Sequence, residues 1–99
     1  MESTKLIFNQ LKKLKPEAIV LFGSTARGEE GKDSDLDILL IRQTNKSFSD
    51  RVREVRSMVR TTRPLDIIVI TPQEAKDLPK KNSFFSQVLK EGKLIYGRI

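Results

Sequence analysis

The chain has 99 residues, 37% of them hydrophobic, and a formal charge of +6 from 19 Lys and Arg against 13 Asp and Glu. That length suits one small globular domain, residues 1–99, and no apolar stretch approaches the ~20 residues of a membrane-spanning helix. Cysteine and histidine are both absent, which excludes a disulfide framework, thiolate chemistry, the usual zinc ligands and the usual general base.

Acid–base or metal chemistry must therefore rest on carboxylates, which favour a hard, oxygen-seeking ion such as Mg²⁺. The N-terminal MESTKLIFNQLKKLKP lacks the basic start, apolar block and small-residue cleavage site of a secretory signal, so the expected location is cytoplasmic. The positive charge suits an anionic partner, and equally a lysine-rich solvated surface.

In chain order, residues 3–15 predict a helix: Ser3 or Thr4 can cap it, Leu6, Ile7, Leu11 and Leu14 recur on one face, and Pro16 stops it. Ala18 to Phe22 is a strand, apolar on both faces and so expected to be covered on both. Gly23 breaks it, Ser24 to Arg27 can form one helical turn, and Gly28 to Ser34 is a polar loop. Asp35 to Ile41 is a second strand. Ser47 or Ser49 opens a helix to about Arg60 that buries Val52, Val55 and Val59.

Leu65 to Ile70 is a third strand. Thr71-Pro72-Gln73-Glu74 reads as a capping box with proline at the first helical position. A last helix, Ser83 to Glu91, carries Phe84, Phe85, Val88 and Leu89 on one face and closes at Gly92. Lys93 to Tyr96 is an edge strand. The order predicts an α+β fold (mixed α/β), a small mixed sheet of three or four strands flanked by helices. The link between the first two strands is too short for an easy parallel crossover, so that pair is expected to be antiparallel.

Three features carry chemistry. Alternate side chains along a strand share a face, so Asp35 and Asp37 point the same way, about 6.6 Å apart at the backbone. Carboxylates at that separation can bracket two ions about 3.5–4 Å apart; a DxD pair alone is equally a solvated loop edge. Asp66 lies inside LDIIVI, and burial there demands a cation or a donor network, either a metal or backbone N–H groups and arginine.

Gly23-Ser24 ends a strand where a glycine lets the main chain approach an anion, although a plain turn has the same composition. GSTARG also reads G-x-x-x-x-G, but Glu29-Glu30 stands where a P-loop needs Lys followed by Ser or Thr. Arg53, Arg56 and Arg60 line one side of the third helix-forming segment and suit phosphate, RNA, solvent or a protein surface. No aromatic residue interleaves with them, so nucleic acid is the less favoured partner.

Gly23-Ser24, ten residues, Asp35-Leu36-Asp37, and later Asp66 together resemble the motif of the DNA polymerase beta-type nucleotidyltransferase superfamily. In size the chain is similar to the minimal nucleotidyltransferase (MNT) branch. The resemblance implies the nucleotidyltransferase fold, with Gly23 and Ser24 holding the terminal phosphates of ATP and Arg27 a charge partner beside them. It implies that Asp35, Asp37 and Asp66 are the catalytic and metal-binding acids, with two Mg²⁺ ions and Asp66 next to the acceptor hydroxyl.

It further implies a separate helical partner of HEPN type, with the chain acting as antitoxin by transferring AMP onto a toxin tyrosine. Two other readings stay open: neutralisation of a partner by occlusion without catalysis, and a transferase subunit acting on RNA or a small molecule.

Overall fold

The computed structural model describes residues 4–26 and 35–99, with Ser24 and Thr25 described through their backbone alone. Nine elements follow in order: α1 (Thr4–Lys12), β1 (Ala18–Phe22), α2 (Gly23–Ala26), β2 (Leu36–Ile41), α3 (Phe48–Met58), β3 (Leu65–Ile70), α4 (Pro72–Lys81), α5 (Ser83–Glu91) and β4 (Lys93–Gly97). The strands form one mixed sheet in the order β3-β2-β1-β4. β1 runs antiparallel to both β2 and β4, and β2 runs parallel to β3. The antiparallel β1–β2 pair agrees with the short connection between them.

Alternation along the strands sends side chains to two cores, one on each face. On one face Ile19 and Leu21 of β1, Ile38 and Leu40 of β2, and Ile67 and Val69 of β3 pack with Ile7 and Leu11 of α1 and Val55 of α3. On the other, Ala18, Val20, Leu39, Ile41 and Ile70 pack with Val88 of α5 and, at its margin, Ala75 and Leu78 of α4. Helices therefore cover both sides of the sheet, which is why β1 has no polar face.

Most termini follow local chemistry. Lys15 takes a left-handed φ of 53° and Pro16 follows, so α1 cannot continue. The Ser47 hydroxyl accepts from the Asp50 N–H to cap α3. Thr71 and Glu74 form the capping box of α4, with Pro72 in its first turn. Pro79 lies inside α4, which still runs to Lys81. No helix of the described residues is long and apolar enough to cross a membrane.

Four expectations need correction. Leu6 is half-exposed, because Ile7, Leu11 and Leu14 already fill the inward face of the first segment. α3 ends at Met58, so Val59 and Arg60 leave the helix and Val59 only borders the core. β2 begins at Leu36, with Asp35 just before it. Phe84 is 47% exposed although it belongs to the apolar stripe of α5.

Candidate active site

Three strand ends meet at one edge of the sheet. Phe22 is the last residue of β1, and its partner across the antiparallel pair is Asp37, the second residue of β2. Asp37 in turn stands level with Asp66, the second residue of β3. Neighbouring residues in register point to the same face, and adjacent strands lie about 4.8 Å apart. Asp37 and Asp66 are thus set side by side on the α4/α5 face, since Leu39, Ile41 and Ile70 at alternate positions enter that core. Asp35 is two residues before Asp37 and exposed.

Gly23 closes the arrangement. Its φ is +74°, a backbone conformation that glycine adopts freely. A Cβ built there would lie 2.1 Å from Asp37 Oδ2 and 3.0 Å from its Cγ. The main chain of the turn therefore presses directly on the carboxylate, and only glycine permits that approach. Gly23 after β1 and Asp37 of β2 are one unit, joined by contact as well as by spacing.

Asp66 differs from expectation. The sequence predicts a buried carboxylate; the side chain is exposed. On the same face of β3, Ile68 and Ile70 pack into the α4/α5 core, but Asp66 stands at the strand mouth, outside that core. Its charge therefore needs no compensating network, and it is accessible to an incoming group. Arg27 and the side chain of Ser24 lie outside the described residues.

Among the described residues no group of three carboxylates lies close enough to form a complete metal cage. Mg²⁺ is usually held by one or two carboxylates, with substrate phosphates and water completing its shell. Asp37 beside Asp66 is an all-oxygen pair of that kind, with Asp35 two residues before Asp37. The residues fit the ion, provided a triphosphate supplies the remaining ligands.

Beside Gly23, on the side away from Asp66, is a cavity of about 230 Å³. Phe22, Ala26, Phe84 and Val88 give it apolar walls, and Gln87 and Glu91 sit on its rim. Sequence reasoning missed this feature. Its only trace is the apolar pair Phe22 and Phe84, whose rings meet edge to face at 6.0 Å.

The arginine stripe is largely engaged. Arg53 pairs with Asp50 at 3.6 Å, and Arg56 donates to the Leu65 carbonyl. The arginine that matters most to packing, Arg51, was not singled out. It is 8% exposed, stacks 4.8 Å from the Phe48 ring, and donates to Glu74 Oε1 at 2.7 Å and to the Val69 carbonyl at 3.2 Å. It thereby ties α3 to β3 and α4. The signal was its place four residues before Val55, on the buried stripe.

A mixed sheet with helices on both faces, a Gly-Ser turn and aspartates gathered at one strand end, defines the nucleotidyltransferase fold class. The family model for Polymerase beta, Nucleotidyltransferase, matches residues 3–98, and the chain belongs to that family. Among solved structures it is similar to a protein from Sulfolobus solfataricus described as a nucleotidyltransferase, with 28% identity and a TM-score of 0.67 over 95% of this chain and 79% of that one. It also shares its fold with a chain of a toxin–antitoxin structure containing AMP-PNP, at 20% identity and a TM-score of 0.61 over 98% of this chain and 75% of the other. No curated protein matches it.

Proposed function

We propose that the chain is a Mg²⁺-dependent nucleotidyltransferase that moves AMP from ATP to a hydroxyl on a partner protein, acting as the antitoxin of a toxin–antitoxin pair. The observation that carries the catalytic part is Asp37 level with Asp66 while Gly23 presses on Asp37. The toxin–antitoxin relative with AMP-PNP supports a nucleotide and a protein partner together. A tyrosine of a HEPN-type toxin is the acceptor that the family resemblance implies.

Asp35 and Asp37 would hold the nucleotide-bound metal, and Asp66 would complete the set. When bound, Mg²⁺ neutralises charge on the phosphoryl oxygens. Gly23 and Ser24 would hold the terminal phosphates through the turn, with Arg27 beside them. Asp66, exposed at the strand mouth, would take the proton of the acceptor hydroxyl. The oxygen–phosphorus bond forms at the α-phosphorus in line with the bond that breaks, and pyrophosphate leaves. Such transfer depends mostly on positioning and charge, which suits a site without histidine or cysteine.

The test is intact mass spectrometry of the partner after incubation with ATP and Mg²⁺. Wild type adds whole AMP units. Asp66→Asn adds none yet still binds ATP, and Asp37→Asn loses both. If wild type adds nothing while it and Asp66→Asn neutralise the partner equally, occlusion is the mechanism. AMP found instead on RNA or a small molecule would move the acceptor out of the protein class.

A further inference from the structure

The cavity beside Gly23 has walls and a rim that do different work. Its floor is apolar: Phe22 at the end of β1, Ala26 at the end of α2, and Phe84 and Val88 on α5. At about 230 Å³ it is smaller than the roughly 300–1,000 Å³ of sites that enclose drug-sized ligands. It takes one ring system and leaves the rest of a nucleotide outside. The strand order β3-β2-β1-β4 sets Asp66 on one side of Asp37 and the cavity on the other, with Gly23 bordering both the cavity and the Asp37 carboxylate. An acceptor that reaches Asp66 therefore enters from the opposite side. Phosphates are rejected by the apolar walls. The one part of a nucleoside triphosphate that suits them is its base.

The rim adds selectivity. Gln87 and Glu91 lie one turn apart on α5, and Gln87 Nε2 donates to Glu91 Oε2 at 3.2 Å. That bond turns the amide so that its carbonyl oxygen is left to accept, and the Glu91 carboxylate accepts only. The rim thus presents acceptors, and these match a base whose edge carries an exocyclic amino group. A keto group in the same place would meet oxygen with oxygen.

We propose that the cavity between β1 and α5 seats the nucleobase, with Phe84 as its wall, and that Gln87, oriented by Glu91, selects an amino-bearing base such as adenine over its keto counterpart. This deepens the nucleotidyltransferase reading and rests on it. Stacking on an aromatic side chain is commonly worth about 1–3 kcal/mol, and a single hydrogen bond at an exposed rim far less than one in a sealed pocket. Phe84 is expected to contribute about tenfold in affinity and Gln87 a few-fold in selectivity.

The experiment is titration calorimetry of the full chain with Mg²⁺ and three probes: ATP, ITP (the 6-keto counterpart) and inorganic tripolyphosphate. Wild type should bind ATP tighter than ITP, and both tighter than tripolyphosphate. Phe84→Ala should weaken ATP about tenfold and leave tripolyphosphate unchanged. Gln87→Leu, an exposed position that does not threaten the fold, should bring ATP to the level of ITP. Glu91→Ala frees the amide to turn and should narrow the same gap. Equal wild-type affinity for ATP and tripolyphosphate would overturn the base seat while leaving the phosphate and metal site standing. A Phe84→Ala loss shared by ATP and tripolyphosphate, or an ATP preference that survives Gln87→Leu, would overturn the assignment too. If neither ATP nor tripolyphosphate binds at all, the nucleotidyltransferase reading itself falls, and the base seat with it.

Discussion

Replacing Gly23 with alanine perturbs the candidate site by one methyl group, and two costs can be separated. The first is the backbone: a φ of +74° in a residue with a side chain costs roughly 1–2 kcal/mol. In a domain of this size that lowers Tm by about 5–15 °C. The second is the collision. The new Cβ would be 2.1 Å from Asp37 Oδ2, so the carboxylate must swing away by on the order of 1 Å, a displacement that costs about 100-fold in a positioned reaction.

A double-mutant cycle divides the two. With Asp37→Ala in place the nearest atom left is the Asp37 Cβ at 3.4 Å, an ordinary contact. Gly23→Ala should then cost only its backbone share. Thermal unfolding followed by circular dichroism measures the four proteins, and calorimetry with ATP and Mg²⁺ measures binding for the two that keep Asp37. Gly23→Ala should lose most of its nucleotide affinity, and its stability penalty should shrink in the Asp37→Ala background. A variant that melts and binds ATP as wild type does would refute the claim that the turn and the carboxylate form one unit.

Four further outcomes follow from the same structure. Arg51→Ala strips a donor from Glu74, the Val69 carbonyl and the Lys46 carbonyl; it should cost about 2–4 kcal/mol and lower Tm by at least about 10 °C. Burial pushes the Glu74 carboxyl up, but hydrogen bonds from Thr71 and Arg51 outweigh it and hold the group below its usual 4.5. A depressed folded pKa stabilises above the unfolded value and is lost on acidification, so the Tm gap between wild type and Glu74→Gln should be open at neutral pH and close below 4.5. ATP affinity should collapse when EDTA removes Mg²⁺ and return with Mn²⁺; equal affinity in both conditions would sink the metal reading. Co-expressed with the helical partner, the chain should co-elute in size-exclusion chromatography, and separate elution at micromolar concentration would remove the main support for an antitoxin.

Strands and caps were legible because each carries its own punctuation. β3 begins after Pro64 and ends at the Thr71-Pro72 cap, and its bounds agree with the reading of LDIIVI. The structure sets Asp37 level with Asp66 because each is the second residue of its strand, and a parallel pair in register brings such positions together; that register has no signal in the sequence. What also escaped was exposure. The hydropathy of LDIIVI says that the strand is buried, and Leu65 is buried on the α1/α3 face, yet on the α4/α5 face burial begins only beyond Asp66, and no local pattern marks how far a packed helix reaches. The cavity escaped for a related reason: it is made by two distant apolar residues, Phe22 and Phe84, which a periodicity argument counts as core.

The fold also occupies several of the basic side chains. Leu36 donates its N–H to the Pro64 carbonyl, and Arg42 donates its own to the Ile70 carbonyl. The even-numbered carbonyls of β3 therefore face β2, and the odd-numbered ones face outward from an edge strand. Two of those outward carbonyls, at Leu65 and Val69, receive side-chain donors from Arg56 and Arg51 of α3. An open edge invites pairing with another chain, and filling it with charged side chains is a common way to prevent that. Arg56, which looks like part of a binding stripe in sequence, and Arg51, which does not, thus guard the sheet edge nearest Asp66. Arg42 and Lys46 both pair with Glu54, which leaves the net +6 unchanged but commits two of the cations to a carboxylate of the chain itself. On the proposed reading, a triphosphate would be recognised by the turn at Gly23, the acids and the ion they would hold, rather than by a general basic surface.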